Sequence, residues 1–429
     1  MHGYDGPTLR SVRESAGVPL RRVARQAGMS HGHLSKVERG EPGRPVTPAV
    51  LAAYEKATGI RLTGVAGHGP ADPNQTGGWR RGHLSETRRR TLNAKIAAVA
   101  VGGPLSEQLT RILDATGRPI IPERIEAPDA IQIEQAAALC TSLDLRYGGG
   151  VADQMARALL RWAVGLLEAA PTGSPITTRL HAAIAALAQR AGWAAFDADT
   201  HDVARSLFTV ALYAATRADH PDLRAHVIAD LAAQHNYLGY PDDCLQVVRF
   251  GEVDERISPP VQQIMHTVKA RAYAVRGDAD ACARHIHAAE QAHTNTTPLR
   301  GWQDTIATEA HLYAGTGHAA ATLARRNQSP TIRKDAQQRL GRAIDRFDPA
   351  SQARPAALAM AQLATLHLEA GELDQGSHWA RRVLEAAKTI RSHRLTEHLA
   401  IMRTAAAGHR TDPAMRELTA QLAGATEPG

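Results

Sequence analysis

The residues best suited to chemistry lie between positions 30 and 39, in the stretch SHGHLSKVER. As a short helix capped by Ser30, this stretch turns Leu34 and Val37 inward and leaves His31, Gly32, His33 and Lys36 facing outward. Lysine donates hydrogen bonds to guanine O6 and N7, and histidine donates to acceptors on purine edges. Gly32 lowers helix propensity but lets the backbone come close to a partner. Ser35 and Arg39, on the flanks, suit phosphate oxygens. Together these groups can read base edges in a major groove.

Such a helix has to be positioned. Residues 17–40, GVPLRRVARQAGMSHGHLSKVERG, read as helix, three-residue turn, helix. Leu20, Val23, Ala24 and Ala27 give residues 19–27 helical periodicity. Gly28 supplies positive φ at the turn, and Gly40 ends the second helix. An earlier helix is expected at 7–16, with Leu9 and Val12 inward. Another is expected at 48–58, with Leu51 and Ala52 inward.

The charge follows the same division. Residues 1–92 hold 15 Lys/Arg against 7 Asp/Glu, whereas the remainder holds 35 against 36. A polyanion partner is therefore expected at one end only, double-stranded DNA being the candidate. The chain of 429 residues is rich in Ala, Leu and Arg and poor in aromatics, which favours an all-α fold of two or more domains. Cys140, Cys244 and Cys282 are few, odd in number and far apart, as in a reducing compartment. With no apolar run near 18 residues and no signal-peptide core, the expectation is a cytoplasmic protein with no membrane partner.

Three domains follow: a head at 1–62, a connecting region at 63–128 and a helical array at 129–429. The connector begins with a Gly/Pro/polar linker at 63–78 and continues into WRRGHLSETRRR at 79–90. That segment reads either as added phosphate contact or as the solvated start of a linking helix. In the array a small residue precedes a glycine by seven positions four times: Ala232/Gly239, Ala270/Gly277, Ala310/Gly317 and Ala364/Gly371. Each glycine is expected to turn one helix into the next, with a small residue five positions on (Cys244, Cys282, Thr322, Gly376). Paired helices at this irregular period predict a solenoid.

Leu9, Arg10, Arg13, Gly17, Val23, Ala24, Ala27, Gly28, Ser30, Ser35, Glu38 and Gly40 resemble the pattern of the Xre/Cro-type helix-turn-helix family. The resemblance covers about 60 residues and implies a five-helix head whose third helix enters the major groove. It places His31, Gly32, His33 and Lys36 at the family's base-reading positions, and it implies an interior ion pair between Arg13 and Glu38. Where the family has Ser/Thr then Gln at the start of the second helix, this chain has Pro19 and Leu20. The usual phosphate contact then passes to Arg21, Arg22 or Arg25.

Residues 265–292 and 356–387 resemble tetratricopeptide repeats, and the whole is similar to actinobacterial Xre–tetratricopeptide regulators. In those, an Arg-Tyr-Gly-Gly-Gly segment, here Arg146–Gly150, joins two early helices. More loosely, the chain resembles peptide-sensing regulators of other Gram-positive bacteria. The repeats imply a concave groove lined by the first helix of each pair. Aligning on the small residues places His226, Asn236, Arg271, Asp304, His311 and Thr365 there. Asn and Arg can hold a peptide backbone or a carboxylate; the alternative is that these side chains only solvate an open groove.

The expected function is sequence-specific DNA binding by a transcriptional regulator whose repeats bind a peptide or small-molecule effector or mediate dimerisation. The rivals are an antitoxin-like or developmental scaffold without a small effector, and a head that docks proteins instead of DNA. A homodimer on a two-fold site is expected, because one small head buries too little surface to be selective. No enzyme activity, cofactor or metal is expected: Gly148–Gly150 lacks phosphate-loop spacing, and His285 and His287 point about 200° apart on a helix.

Overall fold

The computed structural model describes residues 6, 9–10, 13, 18–41, 46–58, 121–295, 299 and 301–426. Among these there are eighteen α-helices and no strand, so the protein is all-α. It divides into two compact units, Met1–Ser85 and Glu86–Gly429. The linker at 63–78 and the Arg-rich segment at 79–90 lie outside the described residues. No helix among the described residues is long and apolar enough to cross a membrane.

In the first unit, α1 (Leu20–Ala27), α2 (His31–Glu38) and α3 (Pro48–Thr58) follow residues 6, 9–10 and 13, which are also helical. Pro19 precedes α1 without a side-chain cap, and Gly28 ends it at φ +62°. Ser30 then accepts from the His33 amide at 3.1 Å and starts α2. Leu9, Val18, Val23, Leu34, Val37, Leu51 and Tyr54 form the core. On α3 the inward face is Val50, Leu51, Ala53, Tyr54 and Ala57; Ala52, expected inside, is exposed. The face that includes Tyr54 and Ala57 buries more apolar area than one centred on Ala52, and it sets the helix's rotation.

The second unit holds α4 (Ala127–Tyr147), α5 (Gly149–Ala169), α6 (Pro175–Asp197), α7 (His201–Arg217), α8 (Pro221–Tyr237), α9 (Pro241–Gly251), α10 (Pro259–Arg276) and α11 (Ala279–Thr294). It continues with a short α12 (Gln303–Ile306), then α13 (Glu309–Asn327), α14 (Pro330–Arg346), α15 (Ala353–Glu369), α16 (Leu373–Ala387), α17 (His393–Ala407) and α18 (Pro413–Thr426). Apart from α12 these pack as seven successive antiparallel pairs, and the first helix of each pair touches the first helix of the next. Proline opens six of this unit's helices, at a position where a missing N–H costs nothing.

Gly239, Gly277 and Gly371 take φ of +86°, +80° and +77° where pairs turn. Gly317 does not turn the chain. It sits inside α13, where a Cβ would come within 3.0 Å of Leu340. The turn comes later, at Gln328 (φ +49°), with Ser329 capping α14. The Ala-rich run around Gly317 keeps the helix going, and its glycine serves close packing instead.

The array returns to its own start, and α15 packs against α4. Arg354 on α15 donates to the Asp144 carboxylate (2.7 Å) and to the Asp144 carbonyl (2.9 Å) on α4. The Arg391 amide donates to the Tyr147 carbonyl (2.6 Å), the Gly150 amide to the Arg391 carbonyl (3.1 Å), and Ser392 Oγ to Asp197 (2.8 Å). The glycines at 148 and 149 make this seam possible. A Cβ on Gly148 would lie 2.4 Å from the Arg391 carbonyl oxygen, and one on Gly149 would lie 2.4 Å from that of Ala194.

Candidate nucleic-acid interface and interior cavity

The outward face of α2 carries His31, Gly32 and Lys36 in exposed positions, with His33 and Ser35 half-buried. Arg21 and Arg22 on α1 are exposed as well. A Cβ built on Gly32 meets nothing within 4 Å, so packing inside the unit does not require glycine there. Arg39 is already engaged: its guanidinium donates to Ser35 Oγ (2.7 Å) and to Glu41 (2.8 and 2.9 Å). A phosphate contact by Arg39 would have to displace Glu41.

Behind α2 the support is polar. Arg13 donates to both carboxylate oxygens of Glu38 (2.6 and 2.9 Å) and to the Val18 carbonyl (3.1 Å). Tyr54 Oη donates to Glu38 at 2.7 Å, and burial together with that carboxylate pushes the phenol's pKa well above its usual value. Arg13 and Glu38 thus tie α2 to the N-terminal helical residues and to α3. Sequence reasoning missed Tyr54; a buried tyrosine needs a partner for its hydroxyl, and the Glu38 carboxylate supplies it.

Residues 6–60 match a family model described as a helix-turn-helix domain. No curated protein and no solved structure matches the chain significantly. The helix-turn-helix domain therefore accounts for the first unit's described helices, and the second unit has to be read from its own geometry.

In that unit the first helices of all seven pairs line a cavity of about 240 Å³. Asp144, Arg190, Trp193, His226, Asp230, Arg271, His311, His318, Arg354 and Arg394 reach it. Three of the groove residues expected from the repeats, His226, Arg271 and His311, are among them. Asp304 lines a separate cavity of about 710 Å³, which also touches Arg190 and His226. Asn236 and Thr365 line neither. Both are buried, and Thr365 Oγ1 donates to the Ala361 carbonyl of its own helix at 2.7 Å. The alignment assumed an open groove on one side of each first helix, but α8 and α15 are covered nearly all round.

The cavity's charge is carried by arginines. Burial drives the His311 pKa down to about 4, helped by Arg354 and Arg190, and lowers those of His226 and His318 too, so these rings are neutral near pH 7. The His226 ring stacks on Trp302 at 4.5 Å. Arg354 is neutralised by Asp144 at 2.7 Å and lies 3.6 Å from Asp197. Asp230 accepts from Gln189 Nε2 at 2.5 Å, and burial pushes its carboxyl up to about 7. Elsewhere His285 sits beside His266 and His287 beside Gln291, so the two do not converge. No group of three or more His, Cys, Asp or Glu among the described residues is placed to hold a metal ion.

The Asp230 shift has a measurable consequence. Between about pH 4 and 7 the folded chain keeps a proton on Asp230 that an unfolded chain has released. This group's contribution to stability is complete below that window and is lost as pH rises through it, by up to roughly 1.4 kcal/mol per unit. Asp230→Asn keeps an acceptor for Gln189 and cannot ionise. Denaturant melts of the variant and the parent should diverge in the variant's favour from pH 5 to pH 8; a constant difference would mean that Asp230 does not titrate there.

Proposed function

We propose that the chain is a sequence-specific DNA-binding transcriptional regulator, with α2 of the helix-turn-helix domain reading bases and the second unit holding an effector. The observation that carries the first half is the outward face of α2. His31, Gly32 and Lys36 stand exposed on a helix anchored from behind, next to Arg21 and Arg22 and in the part of the chain that holds all the excess positive charge. The Xre type of the domain and the tetratricopeptide nature of the array belong to this proposal. So do a cytoplasmic location, the absence of catalysis and action as a homodimer on two half-sites. Paired antiparallel helices with left-handed turn residues support the repeat assignment.

The test is binding-site selection with the full chain, followed by anisotropy titrations on the selected site. Lys36→Ala should cost about 1–3 kcal/mol and relax discrimination at one base position. Arg21→Ala should weaken selected and random DNA alike and reduce the salt slope by about one. Binding without salt dependence, or a Lys36→Ala variant that selects the same site as strongly, would refute the assignment. Light scattering of the complex checks the dimer.

A further inference from the structure

In the interior cavity, one arginine is hydrogen-bonded to a carboxylate and two others are not. Arg354 has Asp144 and Asp197. Arg190 is only 7% exposed and makes no hydrogen bond or ion pair among the described residues. Its nearest acidic influence, Asp230, is already engaged by Gln189. Arg394 likewise has no such partner among the described residues; its guanidinium lies 5.8 Å from the Trp193 ring centre and 5.7 Å from that of Phe196. Arg190, Arg394 and Trp193 all line the same 240 Å³ space. A buried guanidinium remains charged, and leaving it unpaired is strongly unfavourable unless something else supplies the counter-charge.

We propose that this cavity binds a small organic oxyanion, a phosphate ester or a carboxylate on a flat apolar body, with Arg190 and Arg394 gripping the anion and Trp193 packing on the body. The inference rests on the reading of the second unit as effector-holding and names the effector's chemistry. Planar guanidinium forks match the paired oxygens of such an anion. The space, about 240 Å³, suits a compact metabolite. The fold keeps two charges that it could have paired, as it did at Arg354, so binding energy is reserved for the ligand at the expense of the empty state.

The experiment uses the full-length protein and four probes: phenyl phosphate, benzoate, inorganic phosphate and uncharged benzyl alcohol. Tryptophan fluorescence and melting temperature are followed, with DNA anisotropy in parallel. Phenyl phosphate or benzoate should bind saturably and raise the melting temperature, whereas benzyl alcohol should not. A stronger response to phenyl phosphate marks a phosphate ester as the ligand class, and a stronger response to benzoate marks a carboxylate. Inorganic phosphate binding as tightly as phenyl phosphate would remove the flat body from the proposal and overturn that part. Arg190→Gln and Arg394→Gln should each weaken anion binding at least tenfold. Ligand-free Arg190→Gln should melt a few degrees above the parent, because a buried unpaired charge is gone. The proposal falls if neither organic anion binds, if binding survives in the double variant, or if Arg190→Gln melts lower than the parent, as a structural arginine would. Such a failure with intact, salt-sensitive DNA binding sinks this inference alone; loss of DNA binding by the parent protein sinks the reading beneath it.

Discussion

Glu38→Ala is expected to destabilise the helix-turn-helix domain by about 3–5 kcal/mol and to abolish DNA binding, although Glu38 faces away from any groove. The carboxylate is 4% exposed and meets Arg13 through two hydrogen bonds and Tyr54 through a third. Its removal takes a bidentate counter-ion from the largely buried Arg13 guanidinium and the acceptor from a buried phenol. A domain of this size holds only a few kcal/mol in reserve, so the loss is comparable to the whole. Hydrogen exchange across α1–α3 should lose protection while the second unit keeps its own. Glu38→Gln, which retains an acceptor for Tyr54, should fall in between. Unchanged protection in Glu38→Ala would show that α2 is held by its apolar face alone.

The second large effect lies at the seam of the array. Arg354→Met is expected to cost the second unit about 3–5 kcal/mol, because Asp144 and Asp197 would lose the one buried cation that contacts both. Adding Asp144→Asn should recover much of this loss, since a neutral pair of similar volume avoids the uncompensated charge. Urea melts followed by tryptophan fluorescence measure both. A single variant within 1 kcal/mol of the parent, or a double variant worse than the sum of its parts, would mean that this pair does not close the array.

The helix-turn-helix domain was legible because its signals are local. Gly28 adopts the left-handed turn, Ser30 caps α2, and Leu34 and Val37 point inward where the period places them. The phase of α3 slipped because Ala52 and Ala53 are interchangeable in a pattern, and the burial of Val50, Tyr54 and Ala57 distinguishes the faces. In the array the glycines at 239, 277 and 371 announced their turns, whereas Gly317 announced a close contact in the same letter. Asn236 and Thr365 are buried and line neither cavity, because α8 and α15, which carry them, pack against neighbours on more than one side. The Arg146–Gly150 segment carried the clue to the array's return to its start, because three successive glycines imply an approaching backbone as well as a turn; the backbone that approaches, at Arg391, is far along the chain.

The seam also sets a timetable for synthesis. An open solenoid can fold behind the ribosome, each pair settling on the one before it. Here Asp144 waits for a partner 210 positions later, and the stretch from Tyr147 to Gly150 waits longer still, for Arg391. At translation rates of about 5–20 residues per second, that is a delay of roughly 10–40 s. Through that interval the earliest pair of the array is made but unfinished, with a buried-type carboxylate and bare glycine backbone in water. Closure of the second unit onto its first helices therefore waits for residues made late in synthesis.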